Sequence, residues 1–258
     1  MATELHPDLL QPLARQSPQG RARERRSIGY WQDAWRRFRK NRLALSGLVI
    51  LTLIVAVALI GPEVWKYDYR TQDLSDNYAA PSLAHPLGTD LHGRDMLARV
   101  LLGGRISLAV GLFTALISVA IGAMYGAFSG YAGGIVDQVL MRIVDVLYGL
   151  PFLLYVILLM VVLGSGLQNV FIALGLVYWI QMARIVRGEV LSLREREFIL
   201  AARTMGVGRS GVILRHVIPN VMGPVIVTAT LMIPDAIFTE AFLSFIGLGV
   251  PAPLPSWG

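Results

Sequence analysis

The sequence predicts an all-α integral membrane protein, a polytopic helical bundle with five spans. Three observations carry this. Apolar residues make up 55% of the 258 and charged residues only 16%, where soluble domains run closer to about 25% charged. Five stretches are apolar enough and long enough, alone or with their flanks, to cross a bilayer. The basic residues gather beside those stretches: ten of the 23 Lys and Arg precede residue 43, and seven more lie between Arg184 and Arg215. Such clusters are orientation signals. The net charge of +6 is therefore not read as a nucleic-acid surface, since no basic stripe is interleaved with aromatics on a polar scaffold.

Residues 1–29 are polar, with Pro7, Pro12 and Pro18 and no apolar period, and are expected to be a disordered arm. Over residues 30–42, Tyr30, Trp31, Trp35 and Phe38 recur at helical spacing beside Arg36, Arg37, Arg39 and Lys40. This is the pattern of an amphipathic helix in the headgroup region; a solvated basic helix leading into the membrane fits the same residues. Residues 43–60 form the first span, 18 residues without a charge, about 27 Å at ~1.5 Å per residue. Gly61 and Pro62 are expected to end it. The segment 61–104 is polar, with six acidic and four basic side chains, and reads as a loop on the outer, periplasmic side. A cleavable signal peptide is not expected, because the first apolar run follows a polar arm and is too long.

The remaining core, 105–258, holds the other spans. The second is expected over 106–128 and the third over about 146–163, with Pro151 near its start. The fourth covers about 170–182 with borrowed flanks, and the fifth runs from after Pro219 to about residue 238. Asp137, Arg142 and Asp145 are expected to form a local charge network, Arg142 and Asp145 being three apart on one helix face. With the amino terminus cytoplasmic, eighteen basic residues lie inside and four or five outside, depending on Arg105. Gly258 then falls outside, so a sixth span is expected to be missing from this chain.

Catalytic parts are scarce. Lys40 and Lys66 are the only lysines, and neither follows a glycine-rich phosphate loop. The chain has no cysteine, which excludes disulfides and thiolate metal sites. Its histidines, His6, His85, His92 and His216, lie outside the predicted spans and lack helical metal-site spacing, so no metal site is expected. His85 and His92 share the outer loop, where metal capture is the less favoured reading; Asp90 and Arg94 there shape a turn or help dock another protein. A serine intramembrane protease would need a base beside its nucleophile within the bilayer, and none is available.

The inner segment 186–219 is the most informative. Ser192 with Glu195 matches a capping box, Ala201 and Ala202 are small, and Gly206 can supply a left-handed helix end. A second short helix can run from about Ser210 to Val217, closed by Pro219. A helix-turn-helix elbow on the cytoplasmic face results. Asp235 and Glu240 lie at or near membrane depth, where a carboxylate usually faces a cavity or a partner; hydration at the outer interface is the alternative.

The elbow resembles the coupling loop of ABC importer permeases, whose pattern is Glu-Ala-Ala, three residues, Gly, nine residues, Ile, any residue, Leu-Pro. Leu200-Ala201-Ala202, Gly206, His216, Ile218 and Pro219 fall in that register. Leu200 replaces the Glu, His216 the Ile, and Ile218 the Leu; Glu197, one turn earlier, is the candidate stand-in for the Glu. RFRKNRLALSGLVIL at 37–51, HPLGTDLHGRDMLARVLLGGRISL at 85–108 and EAFLSFIGLGVPAPLPSWG at 240–258 are similar, in order, to the C-type permease subunit of dipeptide and oligopeptide (peptide/nickel) importers. The resemblance covers roughly residues 30–258.

The resemblance implies a type I importer permease fold in the bacterial inner membrane, with no catalysis and no cofactor in this chain. ATP and Mg would sit on two partner ATPase subunits. A B-type permease, an extracytoplasmic substrate-binding protein and membrane lipid are the other implied partners. ATPase coupling is expected of Glu197, Ala201, Ala202, Arg203, Gly206, His216 and Pro219; Asp235 and Glu240 are expected on the translocation path or outer gate, the family pattern also having Glu at the position of Glu240. The implied cargo is a di- or oligopeptide, with nickel or another small solute as the alternative. A stand-alone secondary transporter would show broken helices and ionisable groups in repeated halves, and the two halves here show no such symmetry.

Overall fold

The computed structural model describes residues 30–257, and the polar arm expected over 1–29 lies outside them. The chain divides into two units, Met1–Thr52 and Leu53–Gly258. In the first, helix α1 spans Tyr30–Lys40, with Arg37 paired to Asp33 at 2.7 Å one turn away and the Trp35 and Phe38 rings stacked at 5.8 Å. Asn41 separates α1 from α2 (Arg42–Val64). Its Oδ1 accepts the N–H groups of Leu43 and Ala44 at 3.1 and 3.2 Å, meeting two of the donors that a helix start leaves free.

Helix α2 does not stop at Gly61 and Pro62 but continues to Val64. The reason lies on the next helix. Pro62 has no N–H to give the Ala58 carbonyl. The Arg105 guanidinium supplies the donor instead, through Nε at 3.4 Å to Ala58 O and Nη2 to Leu59 O, while both Nη atoms reach Glu63 at 3.0 Å.

The outer segment between α2 and α3 is tied by Asp95. Its carboxylate takes the Trp65 indole N–H at 3.0 Å, His85 Nδ1 at 2.8 Å and the Ala98 N–H at 2.7 Å, the last capping α3. Asp90 shapes the neighbouring turn by accepting from Arg94 N, Arg94 Nε and His92 N. Partial burial pushes the Asp90 carboxyl up, but the N–H groups of Arg94 and His92 and the charges of Arg94 and Arg99 outweigh it and hold it below its usual value.

Helix α3 spans Met96–Ala132, well beyond the expected 106–128. At about 56 Å by helical rise it exceeds the hydrocarbon core, and its first turns carry Arg99 and Arg105, whose charges find carboxylates at Asp90 and Glu63. Helix α4 (Gly134–Tyr148) and α5 (Phe152–Leu163) replace the single third span, being bent by 87°. The break is Gly149-Leu150-Pro151: Pro151 lacks an N–H and disfavours helical geometry at Leu150. Helix α6 spans Leu167–Leu193, longer than the 170–182 expected. Four described helices are long and apolar enough to cross a membrane, five if the bent pair makes one crossing.

Short helix α7 (Glu197–Thr204) follows, then α8 (Arg209–Val212), a π-helical turn over Ile213–Val217 and α9 (Ile218–Phe245). The core draws Val110 from α3, Met160 from α5, Leu174 and Met182 from α6, Ile199 and Ala202 from α7, and Val217 and Leu243 further on. Helices α3 and α6 share the most extensive contact. Gly122, Gly126 and Gly130 form a small-residue stripe along α3 of the kind that lets membrane helices approach. A Cβ at Gly126 would run into the Ala183 carbonyl oxygen, and one at Gly130 would lie 3.0 Å from Arg187 O. Past α9, Gly247 at φ +81° turns the chain, and Trp257 reaches back to α3 through Nε1 to Val100 O at 2.9 Å.

Candidate functional site

The elbow forms, with different boundaries from those expected. No capping box starts it: Ser192 is inside α6, its hydroxyl bonded to Glu189 O at 3.0 Å, and α7 begins at Glu197 without a side-chain cap. Gly206 has φ +81° with nothing near its Cβ position, so it turns the chain as the left-handed residue after α7. Nor does Pro219 close the second helix. Residues Arg209–Phe245 run as one helical segment, with Pro219 in the first turn of α9. Pro219 cannot donate to the residue four back. The preceding turn widens, so that the Ile218 N–H bonds Ile213 O five residues away, and α8 leads into α9 without a break in helical structure.

The predicted elbow residues separate onto two faces. Ala202 is buried, 1% exposed, beside Ile199 in the core, so it seats α7 rather than offering a docking surface. Arg203 is exposed but leans back on the core: its Nε donates to Tyr131 Oη at 3.1 Å, and its guanidinium lies 4.7 Å over that ring. Glu197, Ala201, Gly206 and Pro219 are exposed and His216 half-buried, its carbonyl taken by Asn220. The outer face also carries Phe198, Leu200 and Met205, the last 76% exposed. Sequence reasoning passed over these three; apolar residues at a charged segment's helical spacing were the available signal.

Above the elbow a buried ion pair joins three helices. Arg187 of α6 clamps Asp137 of α4 with two bonds of 2.6 Å, and Ser129 of α3 donates to the same carboxylate at 2.6 Å. The expected network of Asp137 with Arg142 and Asp145 is thereby corrected. Asp137 faces α3 and α6, and no bond between Arg142 and Asp145 forms among the described residues. Arg184 lies 4.2 Å over the Tyr148 ring.

Farther along α6 is a cavity of about 660 Å³ between α4, α5, α6 and α9, lined by aromatic and aliphatic side chains with Gln181, Asp235 and Thr239. Tyr178 donates to Asp235 Oδ2 at 2.9 Å, and its oxygen lies 3.1 Å from Thr239 Oγ1. The Asp235 side chain is open to the cavity, and no bond from the described residues engages Oδ1. Glu240 is different: fully buried, it accepts from Ser244 at 2.6 Å while Oε2 has no partner. It is not hydrated at an interface. Ser244 also accepts the Val250 N–H at 3.3 Å, so Glu240 helps fix the turn after α9. Tyr178 was not singled out from sequence, although a hydroxyl in a predicted span is the signal for it.

Residues 119–258 match a family described as the binding-protein-dependent transport system inner membrane component. Residues 29–81 match the N-terminal transmembrane domain of oligopeptide transport permease C. The chain is 46% identical over 251 residues to the oligopeptide transport system permease protein OppC of Bacillus subtilis, covering 97% of this chain and 82% of that one. It is 49% identical over 235 residues to the dipeptide permease protein DppC of the same organism, covering 91% and 73%. With the OppC of Escherichia coli it shares 48% over 230 residues, covering 88% and 76%. A solved chain of the MetNI methionine ABC transporter in an inward-facing conformation is similar in fold, with a TM-score of 0.50 at 20% identity, covering 57% of this chain and 74% of that one.

Proposed function

We propose that this chain, which belongs to the binding-protein-dependent transport system inner membrane component family and within it to the C-type peptide permeases, forms the import path for di- or oligopeptides with a B-type partner permease. It is the non-catalytic membrane subunit, ATP and Mg being held by two separate ATPase subunits. An extracytoplasmic binding protein delivers the cargo. The observation that carries this is the two-sided elbow. Ile199, Ala202 and Val217 anchor it in the helical core, and α8 continues directly into α9. Phe198, Leu200 and Met205 stand bare on the other side, an apolar surface suited to a protein partner. Motion of an ATPase docked there is passed straight to the helix that lines the cavity.

The elbow and α1 are cytoplasmic in this reading, with α1 lying in the headgroup layer, and the segment tied by Asp95 is periplasmic. The basic residues favour this orientation. The test is reconstitution in proteoliposomes. The complete complex takes up a short peptide with ATP, whereas the isolated chain hydrolyses none. ATPase activity of the pure chain, or a complete complex that moves no peptide, overturns the assignment. Orientation is read by introducing Ser192→Cys into this cysteine-free chain, where labelling by an impermeant reagent from the periplasmic side contradicts it.

A further inference from the structure

We infer that Asp235, on the wall of the cavity, is a subsite for a protonated amine, namely the amino-terminal ammonium group of a short peptide in transit. The inference rests on the import reading above and adds to it the atom that meets the cargo. Asp235 lies ten residues before the end of α9 at Phe245, within a helical segment long and apolar enough to cross a membrane. A carboxylate on such a span is costly to insert and usually faces a cavity or a partner. Within the described residues its charge meets no cation: no Lys, Arg or His lies within ion-pair distance. Its single bond, from Tyr178, would be made equally by an asparagine oxygen at lower insertion cost. The bond to Oδ2 instead fixes the group so that Oδ1 is the oxygen left open.

The surroundings suit an ammonium group. It brings three N–H donors and no acceptor. Asp235 Oδ1 and the Gln181 side-chain oxygen are acceptors among the groups that line the cavity. The Phe152 ring, edge-on to Tyr178 at 5.1 Å, and those of Phe238 and Phe242 line much of the rest, and aromatic faces attract a cation. A metal ion fits less well, since no group of three His, Asp or Glu side chains gathers among the described residues. The volume of about 660 Å³ is within the range of sites that hold small molecules.

Two photoreactive dipeptides test the inference, both ending in p-benzoylphenylalanine, one with a free amino terminus and one N-acetylated. Each is irradiated with the complete detergent-solubilised complex, and label on this chain is counted. The free-amine probe is expected to label the wild type about tenfold more, equivalent to about 1.4 kcal/mol. Asp235→Asn, which keeps the acceptor for Tyr178, should bring it down to the acetylated level, and Asp235→Glu should restore most of it. Equal labelling by the two probes in the wild type overturns the inference, as does an absence of labelling. Parallel loss of both probes in Asp235→Asn also overturns it, and is the result expected if a basic side chain of the partner permease meets Asp235. Peptide uptake by the same complex is measured separately, so uptake without amine-selective labelling sinks the subsite and leaves the import reading standing.

Discussion

The inner end of the molecule and the aromatic-lined cavity handle polar groups in opposite ways. At the inner end the one buried carboxylate, Asp137, is met within the chain by Arg187 and Ser129, and Arg203 leans on Tyr131. What stands bare there is the apolar trio Phe198, Leu200 and Met205, set among solvent-facing charges such as Glu197 and Arg209. In the cavity the walls are mostly apolar and the unmet group is one carboxylate oxygen. The difference indicates what each region awaits. An exposed apolar face rimmed by charges suits a protein surface, and a carboxylate without a cation partner in an aromatic pocket suits a charged solute.

The comparison is easiest to break at Asp137. Asp137→Ala leaves Arg187 without its bonded carboxylate and with only Asp145 nearby as a counter-charge, and removing one partner of a buried pair costs about 3–5 kcal/mol. Arg187 is about a third exposed, so the lower end, about 3 kcal/mol, is expected, read as a fall in the thermal unfolding midpoint of the purified complex. Asp137→Ala with Arg187→Met should recover most of the loss. An unchanged midpoint would mean that the clamp is not what holds α3, α4 and α6 together.

Neighbours on α7 give the next largest contrast. Ala202→Glu forces a carboxylate into the core beside Ile199, and is expected to cost about 2 kcal/mol, limited because the elbow can open locally. Ala201→Glu on the outer face should leave the midpoint within about 0.5 kcal/mol while the ATPase subunits bind more weakly in pull-down. Equal behaviour of the two variants would erase the distinction between an anchored and a docking face.

That distinction shows how far the sequence could be read. The register of Leu200-Ala201-Ala202 with Gly206 was legible because chain geometry is local: a left-handed residue favours glycine, and φ at Gly206 is +81°. Which alanine faces inward was not, since it depends on where Tyr131 and Val212 come to lie. The same limit explains Asp137. A partner five residues away on the same helix, Arg142, is visible in sequence, whereas Arg187, fifty residues on, becomes its partner only when the glycine stripe of α3 brings α6 close. Helix ends failed for a related reason. Pro62 predicts a stop until Arg105 supplies the missing donor, and Pro219 predicts one until the turn before it widens. The 87° break at Gly149-Leu150-Pro151 was signalled by Pro151, but its size follows from packing.

A smaller effect sharpens the docking half of the comparison. Met205 is the most exposed of the three apolar elbow residues, so Met205→Ser removes contact area without disturbing the core. It should weaken ATPase association by about fivefold to tenfold, about 1 kcal/mol, with insertion and midpoint unchanged. Unaltered association would move the docking surface away from this face.

The smallest expected effect on stability is the most discriminating. Asp235→Asn keeps the shape of the side chain and an oxygen to accept the Tyr178 proton, and removes only a charge that no cation among the described residues balances. Its midpoint should shift by less than about 0.5 kcal/mol, and upward if at all, because a neutral amide is easier to hold at membrane depth than a carboxylate. Asp137→Asn, by contrast, abolishes a bidentate ion pair and should be clearly destabilising. Thermal unfolding of the two variants side by side therefore separates a charge kept for the fold from a charge kept for something that passes through it. A fall for Asp235→Asn as large as that for Asp137→Asn would make Asp235 a clip between α6 and α9, and the contrast between the two regions would fail.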